Sequence, residues 1–339
     1  MKTEHTNLDG VHRMCTTGWI DTVRRIVALA VLPGALFSLP SAAGTDVLVV
    51  HAEQNVAHEQ VLSTLRATLA DRHGNQLKLR VKTGAEFSQS GPRETGSGLP
   101  SLIITLGTDA AATVLRHRVS APTYCTFLPQ SAYAALTNDS NEKHAQHTAL
   151  YLDQPLARQM RLIRLALPTR TRVGVVLGPE SRKSERDLRQ AAVSAGLVLR
   201  VEHIVDEKQL VSALHRTMDS TDVLLAVPDP LVFNRNTAQS VLLTTYRLGK
   251  PVAGYSHAYV TAGALLAVYS TPAQIGRQIG EDLLAMLDSP GRTLPAPAYP
   301  RYFSVDINDR IARSLRIETG QAGDLMRQLA DKSTENSHE

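Results

Sequence analysis

At 339 residues, with 43% hydrophobic and 20% charged side chains, the chain is long enough for two domains and has the composition of a folded globular protein. Its formal net charge is +4, and no Lys/Arg run or aromatic-basic interleaving accompanies that excess, so the composition carries no nucleic-acid footprint. The cysteines are two, Cys15 and Cys125.

The front end is unusual. Arg24 and Arg25 precede an apolar run from Ile26 to Phe37, and Ser41-Ala42-Ala43 then places small residues where signal peptidase cuts. The run is too short to span a bilayer, and Pro33, Gly34 and Pro40 interrupt it as a buried helix. We therefore expect a signal peptide over residues 1–43, cut near Ala43-Gly44, and a periplasmic product; Met14 is an alternative start. Val23 and Ile26-Val27 fit a twin-arginine signal poorly, which favours the general secretory route, and Cys15 lies on the wrong side of the run for a lipid anchor. Cleavage would lower the formal charge from +4 to +3 and leave Cys125 alone, so stability must come from an apolar core and not from a disulfide.

Beyond the signal, strands and helices alternate. Asp46–His51 reads as a buried strand, 57–70 as a helix and Leu77–Val81 as a strand; 83–100 turns to Gly, Ser, Pro and charge and reads as a loop. Ser101–Leu106 is a strand, 110–117 a helix and Pro122–Phe127 a strand, before a polar stretch over 137–147 that leads across between lobes. The alternation resumes with a helix over 155–167, strand Arg172–Leu177, helix 181–195 and strand 198–204. Asp206 can cap a helix over 208–218; strand Asp222–Val227 and helix 233–248 follow. Pro251–Ala253 and Ala264–Val268 are continuous apolar runs, as parallel strands covered on both faces require, with a polar loop between them. A helix over 273–287, a Pro-rich linker over 290–300, a last strand over 302–306 and a fraying polar tail complete the chain.

Two such series predict an α/β protein of two doubly wound, Rossmann-like lobes with parallel sheets, joined by a multi-strand hinge. We assign 44–150 plus 270–299 to lobe 1, 151–269 plus 300–321 to lobe 2, and 322–339 to the tail. Ligands of open α/β sheets bind at the carboxyl ends of the strands, which turns attention to the loops there.

Several segments together resemble the ABC-transporter substrate-binding protein family of the type I periplasmic-binding fold, in the branch often described as uncharacterised or aromatic-amino-acid-type. They are SLIITLGTDAA (101–111), QPLARQMRLIRLALP (154–168), RVGVVLGPES (172–181), DVLLAVPDPLVFN (222–234), KPVAGYSHAYVTAGAL (250–265) and IGRQIGEDLLAML (275–287). The resemblance spans about residues 46–318 and is carried by order and spacing more than by any one motif. It implies a monomeric two-lobed receptor that captures a small-molecule solute by hinge closure and offers it to an ABC permease, with no cofactor. A periplasmic ligand sensor or accessory binding protein without a transport role is the alternative.

Gly107 and Thr108 match the family's Gly-Thr motif between strand and helix: Gly lets the backbone close in, Thr offers a hydroxyl, and the helix N-terminus favours an anion. Thr108 as a plain N-cap is the competing reading. Position alone nominates His51, Gln54, Asn55, Phe127 and Pro129. In the second lobe Gly178 stands where the family usually has Asn, leaving Ser181 and backbone amides as donors, and Asp229, one place before the family's usual acidic position, reads either as a ligand for a solute ammonium or as an ordinary Asp-Pro turn. Tyr255 and Ser256 replace a residue that is acidic in many relatives. A solute ammonium then has no partner there, so we expect a neutral, anionic or aromatic solute, with Tyr255 and Tyr269 lining the cleft.

Enzyme readings fare poorly. Gly254-Tyr255-Ser256-His257-Ala258 resembles a nucleophile elbow, but the one histidine beyond His257 is His338 in the tail. No G-x-G-x-x-G opens a helix after a strand, and no P-loop is present. His144 with His147, and His51 with His58 near Glu53, lack a third convergent ligand, so no metal site is expected.

Overall fold

The computed structural model describes residues 45–52, 55–73, 77–93, 98–138, 146–234, 236–289, 291 and 293–335. The expected signal peptide with its cleavage point, Gln54, His144 and the last four residues lie outside them.

Five strands, β1 (Thr45–His51), β2 (Leu77–Thr83), β3 (Leu102–Leu106), β4 (Thr123–Leu128) and β5 (His147–Tyr151), form one parallel sheet in the order β2-β1-β3-β4-β5. The apolar runs of β1 and β3 are buried because helices cover both faces. One face carries α1 (Val56–His73) and α10 (Pro272–Asp288), which close a core of Val47, Val49, Leu65, Ile104, Ile279 and Leu283. Helix α10 lies directly on α1: a β-carbon at Gly276 would stand 2.6 Å from the Val61 carbonyl oxygen. The other face carries α2 (Gly84–Ser90) and α3 (Thr108–Arg116), with Phe87, Ala110 and Val114 packed on Leu48, Val50 and Ile103. Helix α4 (Gln130–Asn138) follows β4.

The second sheet contains β6 (Arg172–Leu177), β7 (Val198–His203), β8 (Val223–Leu225), β9 (Val252–Gly254), β10 (Leu266–Tyr269) and β11 (Ser304–Ile307), in the order β11-β10-β9-β8-β6-β7. All pairs are parallel except β10 with β11. Helices α5 (Leu156–Ala166), α6 (Glu185–Ser194) and α12 (Ala322–Glu335) supply one core, built on Met160, Ile163, Leu188, Leu325 and Leu329. Helices α7 (Leu210–Asp219), α8 (Thr237–Arg247) and α9 (His257–Ala262) belong to the other face, where Leu214, Val241 and Tyr259 share a core, and α11 (Asp309–Ser314) follows β11. Both sheets repeat one strand order, so each has a switch point between its first and third strands.

Three crossings join the lobes. The chain leaves β5 for α5, returns from β10 to α10, and comes back between 299 and 303, after Ala298 has bridged to Leu150. These crossings bond to one another: Gln154 Nε2 donates to Ser270 Oγ at 2.8 Å, Ser270 Oγ to the Tyr302 carbonyl at 2.6 Å, and Arg158 Nη1 to Gln154 Oε1 and the Pro300 carbonyl. Arg301 reaches Glu281 and Asp282 on α10, and Tyr124 donates to Asp282.

Four expectations need correction. The stretch 83–100 contains α2, started by a capping box in which Thr83 Oγ1 accepts from the Glu86 N–H and Glu86 accepts from the Thr83 N–H. The polar stretch 137–147 ends in a fifth strand, β5, and does not run straight into a crossing. The loop after β9 contains α9. The tail after Gln321 is helical as far as Glu335, because Leu325 and Leu329 are one turn apart and both buried against lobe 2.

Candidate functional site

The carboxyl ends of β6 and β8 flank the switch point of the second sheet, and Gly178, Ser181 and Asp229 meet there. Asp229 is 3% exposed and Ser181 4%. Asp229 Oδ2 accepts from the Ser181 N–H and from Ser181 Oγ, each at 2.8 Å, while Oδ1 accepts from the Leu231 N–H at 2.9 Å. Ser181 Oγ in turn accepts from the Gly178 N–H at 3.1 Å. The carboxylate thus sits at the start of the 3-10 turn Ser181–Ser184 that leads into α6, the place where a helix start attracts an anion. Gly178 makes room for it: a β-carbon there would lie 2.2 Å from Asp229 Oδ1.

Beside this clasp is an aromatic group. Tyr255 follows β9 half-buried, its ring centroid 4.7 Å from that of Tyr259, and Phe233 meets both rings edge-on at 6.5 and 6.1 Å. Burial raises the Tyr255 phenol above its ordinary pKa. Ser256 is the N-cap of α9, its Oγ accepting from the Tyr259 N–H at 3.3 Å. Tyr269, at the end of β10, donates to Asp306 Oδ2 at 2.9 Å, and His257 Nδ1 lies 2.5 Å from the same oxygen. Desolvation, then the bond to Asp306, raises the Tyr269 phenol.

In the first lobe, Gly107 has φ +100° and occupies the N-cap position of α3, with no side-chain cap. Thr108 is therefore the first helical residue and not the cap, and its hydroxyl has no hydrogen-bond partner among the described residues, so it remains a donor beside the open N–H groups of α3. His51 ends β1 on the other side of the same switch point; it is 5% exposed, and its Nδ1 is buried without a partner. Phe127 adopts φ +58°, a costly conformation for a side chain of this size, at the point where the β4–β5 register shifts. The His58 ring contacts Phe127 edge-on at 5.7 Å and lies 6.0 Å from that of His51. Pro129 follows β4, and its carbonyl accepts from the Tyr133 N–H in α4. Among the described residues no group of three His, Cys, Asp or Glu side chains is placed to hold a metal ion, and no helix is long and apolar enough to cross a membrane.

The nominated positions among the described residues thus fall at or just beyond strand ends of the two sheets. The structure adds His58 in lobe 1, Phe233 and Tyr259 in lobe 2, and the crossing residues Gln154, Arg158 and Ser270. Phe233 and Tyr259 carried a readable signal, being aromatics within five residues of strand-end loops. The crossing residues carried none, because the bonds that join one crossing to another span 32 to 142 positions of sequence.

A sequence profile described as ABC transporter substrate binding protein matches residues 97–321, about two thirds of the chain. The chain belongs to that family. No curated protein sequence matches it. Among solved structures, an ABC domain of Streptococcus pneumoniae in complex with L-Trp is similar over 84% of this chain and 98% of its own, with 15% identity and a TM-score of 0.56. A ligand-free, open substrate-binding protein with adhesive properties from Clostridium difficile is similar over 82% of this chain and 96% of its own, with 15% identity and a TM-score of 0.66. A conserved domain protein from Vibrio cholerae matches over 82% and 97%, with 21% identity and a TM-score of 0.56. These likenesses establish the fold of this substrate-binding protein as the type I periplasmic-binding architecture of two Rossmann-like lobes.

Proposed function

We propose that this substrate-binding protein is the exported, periplasmic capture component of an ABC import system, closing its lobes on a small molecule and presenting the closed form to an inner-membrane permease. It binds and does not catalyse. The observation that carries the reading is the contrast between the two switch points. In lobe 2 the anion position is filled from within by Asp229. In lobe 1 the start of α3 and the Thr108 hydroxyl are left open, and His51 Nδ1 is buried without a partner.

A solute carboxylate therefore belongs on lobe 1, and its apolar body between Phe127 and Tyr255. Backbone strain concentrates where ligands are held, which supports a contact role for Phe127. Gly178, Ser181 and Asp229 hold the lobe 2 loops in place, Ser256 and Pro129 set the backbone beside the rings, and Tyr269 lines the rim. With Asp229 engaged by three donors, an ammonium gains little, and the solute class we assign is a ring-bearing carboxylic acid.

A thermal-shift series on the mature chain tests this with L-Trp, its deamino analogue indole-3-propionate, aliphatic organic acids and nucleosides. We expect the aromatic acid to raise Tm at least as far as the amino acid. Phe127→Ala and Tyr255→Ala should each weaken binding by roughly tenfold. Binding confined to the amino acid and lost in Asp229→Asn, or shifts indifferent to both aromatic variants, would sink the assignment.

A further inference from the structure

Arg158, Arg161 and Arg164 recur at every third position of α5, so three guanidinium groups lie on one helix face along about 9 Å of its length. That face lines a groove of about 800 Å³ between α5, α6 and α12. Leu165, Ala191 and Ala195 give the groove an apolar floor, and Asp331 is the one carboxylate in its lining.

One nitrogen of each guanidinium donates to a neutral acceptor. Arg158 Nη1 reaches Gln154 Oε1 and the Pro300 carbonyl, Arg161 Nη2 the Gln328 carbonyl at 2.7 Å, and Arg164 Nη1 the Pro168 carbonyl at 2.6 Å. None of the three forms an ion pair among the described residues. Arg158 stacks 4.2 Å over the Phe303 ring, and its Nε is buried without an acceptor. Desolvation lowers its pKa to about 10, as expected for a cation removed from water without a counter-charge. A desolvated cation such as Arg158 is ordinarily paired, Arg161 is half-buried and Arg164 exposed, and a guanidinium fork is the group that matches carboxylate and phosphate geometry.

We propose that this groove is a second binding site, separate from the interlobe cleft, for a small organic anion bearing two or more carboxylate or phosphate groups on a short apolar body. The spread of the guanidinium groups suits more than one anionic group, and the apolar floor favours an organic anion over a bare inorganic ion.

Calorimetric titration of the mature protein with citrate and with fructose 1,6-bisphosphate, at ionic strength matched with sodium chloride, tests the site. Saturable binding of at least one is expected, and which of them binds tells carboxylate from phosphate. Arg161→Gln with Arg164→Gln should weaken it by about tenfold or more, as should Arg164→Glu alone at its exposed position. Tyr255→Ala, in the cleft, should leave it unchanged, so this result stands or falls apart from the cleft assignment. The site is overturned if neither anion binds beyond chloride at roughly 10 mM, if the arginine variants bind like the parent, or if Tyr255→Ala abolishes the signal.

Discussion

A methyl group at position 178 would meet the Asp229 carboxylate at 2.2 Å, so the two residues constrain one another. In the sequence they look like separate departures, a lost Asn and an acidic residue one place early. In the fold they are one feature, since the carboxylate occupies the volume that a side chain at 178 would need. Gly178→Ala should therefore destabilise the protein by about 2 kcal/mol through overpacking. Asp229→Ala should cost about 2–3 kcal/mol by leaving the buried Ser181 N–H and the half-buried Leu231 N–H without an acceptor. Combined, the two should cost little more than Asp229→Ala alone, a coupling that urea denaturation of the four proteins measures directly. Strict additivity would show that the alanine methyl group is accommodated elsewhere. The sequence placed these residues at strand ends, but that their bonds run to each other depends on β6 and β8 lying side by side.

Among the elements, the strands and long helices were readable because continuous apolar runs and the helical period survive without knowledge of partners. Helix α2 carried a legible start, Thr83 and Glu86 at capping-box spacing, outweighed by the polar composition around it. Helix α9, six residues long, is too short for a period to show. In α12 two leucines stand among charged residues, which reads as a tail until a groove exists to receive them. Leu329 is 1% exposed in lobe 2, so Leu329→Ala should lower unfolding stability by about 2–4 kcal/mol. Urea midpoints of the variant and parent check this. An unchanged midpoint would return α12 to the status of an appendage.

Over the whole molecule, the described residues hold one cysteine, Cys125, a free thiol buried in the lobe 1 core, and this has a pH signature. Burial pushes the Cys125 thiol up to about 12, and burial likewise raises the phenols of Tyr124 and Tyr133. The unfolded thiol loses its proton near pH ~8.5, while the folded one keeps it until about 12. Between those values the unfolded state is favoured by about 1.4 kcal/mol per pH unit, so stability present below the unfolded pKa is lost as pH rises. The urea midpoint should fall between roughly pH 7.5 and 10.5, and Cys125→Ala should reduce the fall. Equal falls in both proteins would move the cause away from the thiol.

The sequence by itself determined the two-lobed alternation, the positions of the strand-end loops and the family, because burial of parallel strands leaves a local record in continuous apolar runs. Only the tertiary structure decided which loop residues are spent on each other and which stay open, and how three crossings lock through Gln154, Ser270 and Tyr302. Those contacts join residues 32 to 142 positions apart, and no local spacing encodes them.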